Sequence, residues 1–249
     1  MLNSRFGLIG QSLNHSFSQQ FFRDFFSKND IDGTYENLEF QDIEALKSFF
    51  NDAVYNYAGL NVTIPYKTAV IPFLDRVDDE AKKIGAVNTI KVVSGQLVGY
   101  NTDVFGFRQS IKPFLTNKHE KAMVIGTGGA SKAIDFVLKK IGLEVLFISR
   151  QTNDSNDVFT YEEINNYMVD ACKLVVNCTP VGSYPFTEDE VLFPYEHLSE
   201  EHLVIDLIYN PSKTVFLKKS EDNSAQILNG SSMLSEQAMK SWQIWSQED

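Results

Sequence analysis

Ala122-Met123-Val124-Ile125-Gly126-Thr127-Gly128-Gly129-Ala130-Ser131, with Leu143-Glu144-Val145-Leu146-Phe147-Ile148-Ser149-Arg150 after it, decides how this chain is built. Residues 122–125 form a short apolar run that reads as a strand. Beyond the glycines, Ala130, Ala133, Ile134, Val137, Leu138 and Ile141 recur on one face of a helix. Residues 143–149 then read as a second strand. Gly126 permits a tight turn, and Gly128 lets the backbone approach a pyrophosphate seated at the helix N-terminus. Ser131 replaces the third glycine of the full fingerprint, but the loop follows a strand and opens a periodic helix, the setting the motif requires. A strand, a glycine loop, a helix and a strand in this order start a doubly wound α/β domain that binds a dinucleotide.

The second strand of that unit ends at Ser149 and Arg150. An arginine there suits a ribose 2′-phosphate, whereas an acidic residue would hold the free 2′-hydroxyl. Arg150 therefore favours NADP over NAD, with Asp154 and Asp157 opposing a dianionic phosphate close by.

Outward from this unit the chain continues to alternate strands and helices. Upstream, strands are expected at 6–10, 34–40 and 58–64, the last ending at Pro65, which cannot continue a ladder. Helices are expected at 18–28, rich in phenylalanine, and from Asp42 to about residue 50. A short helix from Asp78 closes at Gly85, and 87–93 with 96–100 form a hairpin around Ser94-Gly95. Thr102 reads as an N-cap with Asp103 in the first helical turn. Downstream, strands are expected at 174–177 and 203–206. A last helix from about Ser232 carries Leu234, Ala238, Trp242 and Trp245 on one side. The expected division is a first domain at 1–101, completed by about 232–249, and a second at 102–231.

Composition narrows the function. The 249 residues carry a formal charge of −11, with 43% hydrophobic and 22% charged residues. That is ordinary for a globular protein, and it speaks against a nucleic-acid binder, which usually presents a basic face. Cys172 and Cys178 are too few for a disulfide framework and read as buried apolar residues. His15, His119, His197 and His202 follow no metal-binding spacing, so no metal is expected. No apolar run reaches the length of a membrane span, and residues 1–5 lead straight into a strand. A cytoplasmic protein is expected.

Gly59-Leu60-Asn61-Val62-Thr63-Ile64-Pro65-Tyr66-Lys67 sets a lysine beside two short polar side chains, and Asn101-Thr102-Asp103 sets a carboxylate at a helix start. Hydride transfer to a ketone needs a proton donor for the nascent alkoxide, and the reverse reaction needs a base. A lysine held near the oxygen can serve both directions, and an ionised Asp103 near a helix N-terminus is a natural partner for it. Taken singly, the lysine reads first as a surface charge and the aspartate first as a stabiliser of the helix end.

Taken together, these segments carry a resemblance. Gly59 to Lys67, Gly85-Ala86-Val87-Asn88-Thr89, Asn101-Thr102-Asp103 and the glycine loop occur in the order seen in shikimate dehydrogenases. So do Asn177-Cys178-Thr179-Pro180-Val181-Gly182, Asp206-Leu207-Ile208-Tyr209-Asn210-Pro211 and Gly230-Ser231-Ser232-Met233-Leu234-Ser235-Glu236-Gln237. The chain resembles that family over nearly its whole length, and the NVTxPxK element is specific to it. The resemblance implies an N-terminal α/β substrate domain and a Rossmann-like doubly wound nucleotide domain. It also implies reversible, NADPH-dependent reduction of 3-dehydroshikimate to shikimate.

By motif, the resemblance places Ser16 and Ser18 on the substrate carboxylate and Asn61, Thr63, Asn88 and Gln237 on its hydroxyls. Tyr209 lines the same cleft, and Lys67 and Asp103 form the catalytic pair. Gly126, Gly128, Gly129, Ala130, Ser149, Arg150, Thr179 and Gly230 fall to the cofactor. Monomer and homodimer both stay open. The chain departs from the family pattern at Ser12 and Gln19, where prolines are common, at Gln151 after Arg150, and at Ser183 after Gly182.

Overall fold

The structure is a computed structural model that describes residues 4–13, 16–151 and 157–247; His15 and Asp154 lie outside these. The chain divides into two compact units, Met1–Thr102 with Ala238–Asp249, and Asp103–Gln237.

The first unit is built from β1 (Ser4–Gly10), α1 (Phe17–Lys28), β2 (Gly33–Glu39), α2 (Ile43–Asn51), β3 (Gly59–Val62), β4 (Arg76–Val77), α3 (Asp79–Ile84), β5 (Thr89–Val93) and β6 (Gln96–Tyr100). Its sheet runs β2-β1-β3-β5-β6-β4. Strands β2, β1 and β3 are parallel, and β5 enters antiparallel to both β3 and β6. Local chemistry explains the ends. Asp42 caps α2 by accepting the Ala45 N–H at 2.8 Å. Gly85 closes α3 with φ 70°, and Ser94 and Gly95, at φ 51° and 74°, form the hairpin turn. Strand β3 stops at Val62, short of the expected 64, because Tyr66 N–H bonds back to Thr63 O and turns the chain.

Two apolar clusters fill this unit. One groups Ile9, Leu46, Leu60, Val62, Val70, Ile90 and Leu97. The other sets Phe6, Phe22 and Phe26 against Ala238 and Trp245 of the last helix, with Phe6 and Trp245 stacked at 5.0 Å. Trp245 explains Gly59, since a Cβ there would lie 2.3 Å from the indole nitrogen. The indole N–H also bonds Ile90 O at 2.9 Å.

The second unit comprises α4 (Asp103–Ile111), β7 (Lys121–Ile125), α5 (Gly129–Lys140), β8 (Glu144–Ser149), β9 (Val158–Thr160), α6 (Asn166–Ala171), β10 (Leu174–Asn177), β11 (Leu203–Asp206), α7 (Val215–Asp222), β12 (Gln226–Leu228) and the start of α8 (Ser231–Ser246). All six strands are parallel in the order β12-β11-β10-β7-β8-β9. The order reverses direction between β7 and β10, which makes a topological switch point there. The division of the chain falls inside α8, not before it. The early turns of α8 pack on α4 at Gly106, where a Cβ would meet Met233 O at 2.6 Å and Gln237 at 3.1 Å. Among the described residues no helix is long and apolar enough to cross a membrane, and no group of His, Cys, Asp and Glu is arranged to hold a metal.

Candidate functional site

In the first unit the register gathers polar side chains at one edge of the sheet. Asn61 near the end of β3 pairs with Thr89 at the start of β5, and Thr89 pairs with Tyr100 at the end of β6. The carboxyl end of β1 leads at the same edge to Ser16 and Ser18, and the end of β3 leads to Thr63 and Lys67. Gly10 is small because Leu13 and Thr63 pack onto it; a Cβ would meet them at 2.5 and 2.9 Å.

Asn61 and Asn88 are 8% and 2% exposed, so every polar atom needs a partner. Asn61 Oδ1 accepts the Tyr35 hydroxyl at 2.8 Å. Its Nδ2 donates to Ser241 Oγ at 3.0 Å and to Thr89 Oγ1 and Asn88 O at 3.2 Å. Burial raises the Tyr35 phenol well above its ordinary value, which keeps the donor protonated, while a hydrogen bond from Ser18 acts the other way. Asn88 is pinned through both main-chain groups: its N–H donates to Tyr100 O and its carbonyl accepts from Val62 N–H. Asn88 Oδ1 accepts Thr102 N–H at 2.7 Å. A backbone N–H can only donate, so this bond fixes the amide with its NH2 end turned away from Thr102.

Lys67 is half-buried, and its carbonyl is held by Val87 N–H at 2.7 Å, next to Asn88. Thr63 is half-buried, with its N–H on Ile9 O. Ser16 precedes α1 but does not cap it with its side chain, and its Oγ is buried with no partner among the described residues. Such a hydroxyl is a ready contact for an anionic ligand. The sequence marks Thr102 as a cap and Thr89 only as the end of a motif, and leaves Tyr35 and Ser241 without any mark. Their only signal is the sheet register, which a sequence does not display.

In the second unit the carboxyl ends of β7, β8 and β10 meet at the switch point. Gly126 adopts φ 100°, and a Cβ there would press on Thr179 at 3.0 Å. Gly128 caps α5 and faces open space, with no atom within 4 Å of the place a Cβ would take. Gly129 and Ala130 begin the helix behind it. Ser131, in place of the third glycine, is 1% exposed and donates back to Gly128 O at 2.6 Å. The loop thus leaves helix N–H groups facing a bare approach, which fits a pyrophosphate and hence a dinucleotide. Ser149 ends β8, and Arg150 beyond it is exposed.

Beside the loop, Thr179 donates its N–H at 3.0 Å and its hydroxyl at 2.7 Å to Asn177 Oδ1. Asn177 Nδ2 in turn donates to Asp206 Oδ1 at 3.1 Å, and Thr214 donates to Asp206 Oδ2 at 2.7 Å. Burial lifts the Asp206 carboxyl to about 6, against the hydrogen bonds from Thr214, Ile208 N–H and Asn177. Cys172 is buried, its thiol pushed up to about 11. Burial also raises the thiol of Cys178, so neither cysteine is a nucleophile at neutral pH.

Asp103 starts α4 and is 1% exposed. Gln237 packs on the same helix at Gly106, one turn along. Gly230 precedes α8, where a Cβ would lie 2.0 Å from Leu207 O, so only glycine fits. Its N–H bonds Ile208 O, next to Tyr209. The second unit therefore brings Asp103 near Gln237, and Gly230 near Tyr209.

The profile of the shikimate dehydrogenase substrate binding domain matches residues 8–90. The NADP(+) shikimate dehydrogenase of Methanosphaera stadtmanae is 37% identical over 96% of this chain and 90% of its own. A crystal structure of a shikimate dehydrogenase in complex with NADP+ superposes with a TM-score of 0.90 at 31% identity, covering 99% of this chain and 92% of that one. A quinate dehydrogenase of Corynebacterium glutamicum, in complex with NAD, has a TM-score of 0.87 at 28% identity, covering 98% and 94%. With the polar sheet edge of one unit and the glycine loop of the other already in place, this likeness over the full chain means that the protein belongs to the shikimate dehydrogenase family.

Proposed function

We propose that the protein is an NADP-dependent shikimate dehydrogenase, interconverting 3-dehydroshikimate and shikimate. The observation that carries this reading is the polar edge of the first unit, where Asn61 and Asn88 are held in fixed orientations among hydroxyl side chains. A hydroxylated ring carboxylate offers hydrogen-bonding groups and little apolar surface, so it matches an edge of this kind. An analogue lacking one of those hydroxyls leaves a buried group unpaired and is rejected.

Ser16 and Ser18 take the carboxylate, the first through a buried hydroxyl that has no partner among the described residues. Asn61, Thr63, Asn88 and Gln237 serve the hydroxyl groups, with Asn61 acting largely through the net it anchors, and Tyr209 lines the same cleft. Lys67 and Asp103 are the catalytic pair: Lys67 hands a proton to the nascent alkoxide during reduction and takes it back during oxidation. Asp103 supplies the carboxylate of the pair. Bound NADPH supplies the hydride. Gly126, Gly128, Gly129 and Ala130 receive its pyrophosphate, Thr179 and Gly230 lie along the same site, and Ser149 and Arg150 take the 2′-phosphate.

The test is turnover. Purified protein mixed with shikimate and NADP should generate the near-ultraviolet absorbance of reduced nicotinamide. Absence of turnover in both directions overturns the proposal.

A further inference from the structure

We infer that Ser241, on the last helix, is a positioning residue for the substrate edge of the first unit, acting by linking the amide of Asn61 to the amide of Asn88. The inference rests on the reading of that edge as the shikimate site. Ser241 is 0% exposed. Its Oγ lies 3.0 Å from Asn61 Nδ2, 2.8 Å from Thr89 Oγ1 and 3.2 Å from Thr102 Oγ1. Thr89 and Thr102 each lie 3.2 Å from Asn88 Oδ1.

The two ends of this set have fixed polarity. Tyr35 donates to Asn61 Oδ1, so the Asn61 amide presents its NH2 to Ser241. Thr102 N–H donates to Asn88 Oδ1, so Asn88 presents an acceptor to the two threonines. Between a donor end and an acceptor end, every hydroxyl must accept from one side and donate to the other. The chain runs from Asn61 NH2 to Ser241, on to Thr102 or Thr89, and then to Asn88 Oδ1. A hydroxyl side chain at 241 satisfies both directions at once, and such chains reinforce their own members. An alanine removes the hydroxyl that Asn61, Thr89 and Thr102 share while leaving the apolar packing of the helix in place; the longer bonds from Asn61 Nδ2 to Thr89 Oγ1 and Asn88 O, at 3.2 Å, remain. Thr89 and Thr102 then lose a shared partner, and the Asn88 amide whose Oδ1 they face is held less firmly.

The experiment is Ser241→Ala in the full chain, with steady-state kinetics for shikimate and for NADP separately and a melting curve for folding. Ser220→Ala is the control: it removes an equally buried serine hydroxyl that donates to Phe216 O in the other unit. The expected result is a rise of about five- to tenfold in KM for shikimate, the worth of about one hydrogen bond. KM for NADP should stay within about twofold. Ser220→Ala should shift neither KM while lowering Tm. An unchanged KM for shikimate in an active Ser241→Ala protein overturns the inference and leaves the function standing. Inactivity of the wild-type protein toward shikimate overturns the functional reading, and this inference with it.

Discussion

Under the proposed function, the two units would meet their ligands with opposite parts of the chain. The first presents side chains: Asn61, Asn88, Thr89, Thr102, Tyr35 and Ser241 form a buried net whose two amides have fixed directions. The second presents backbone, at a loop whose key position, Gly128, has empty space where a side chain would be. A hydroxylated ring is told from its relatives by where its hydroxyls sit, which needs donors and acceptors at fixed places. A pyrophosphate needs only N–H groups and room. Selectivity is therefore expected to reside in the first unit, and the second contributes little beyond the choice between the two nicotinamide dinucleotides.

The largest effect should come from the proposed catalytic pair. Lys67→Ala and Asp103→Ala are each expected to lower kcat by about a thousandfold, the scale of lost acid–base assistance, while circular dichroism and melting remain near wild type. A variant that keeps kcat within a few fold removes that residue from the chemistry. Next come two glycines with opposite surroundings. Gly59→Ala drives a Cβ into Trp245 and should cost about 3 kcal/mol of stability in urea denaturation. Gly128→Ala meets no atom and should leave stability unchanged, yet raise KM for NADP by about tenfold or more because the methyl occupies the approach to the helix. Equal stability losses in the two variants would erase the contrast between packed and open glycines.

Asp206 gives a smaller, pH-dependent effect. Its carboxyl is raised to about 6 in the fold from an ordinary 3.8, so the folded protein holds its proton more tightly than the unfolded chain. The stability this adds is fully present below the ordinary value and is lost as pH rises through about 6, on the order of 2–3 kcal/mol in total. Asp206→Asn should flatten that dependence when urea denaturation is compared at about pH 4 and about pH 7.5. A variant with the same pH profile as wild type would mean that the buried carboxyl does not titrate in this window. The smallest effect is expected at Arg150, which is exposed. Arg150→Ala should raise KM for NADP by about fivefold and leave KM for NAD unchanged, since one solvated contact to a phosphate is lost.

Much of this contrast is legible in the sequence, for physical reasons that differ between the units. Strands β10 and β11 are short apolar runs buried on both faces, and they stand where the sequence places them. The glycine loop announces itself because backbone recognition leaves glycines behind. The strands that the sequence does not reveal, β4, β9 and β12, have two or three residues each and lie at or beside sheet edges, too short for any periodicity to register. Helix α7 is hidden too, since Val215-Phe216-Leu217 followed by Lys218-Lys219 compresses its apolar face into a short span. At the substrate edge, Asn61 and Asn88 are visible through their motif, but Ser241 is not. One serine among the five of a terminal helix carries no mark of the contact it makes. Gly59 is visible as a glycine, while its reason, Trp245, lies near the opposite end of the chain.

Whether the first unit selects the ring and the second selects the phosphorylated dinucleotide can be decided by a single matrix of initial rates. Shikimate and quinate are each assayed against NADP and NAD, using the purified full chain. The highest kcat/KM is expected for shikimate with NADP, with a change of ring costing more than a change of nucleotide. Fastest turnover of quinate with NAD, or no turnover with any pair, would refute that division of labour.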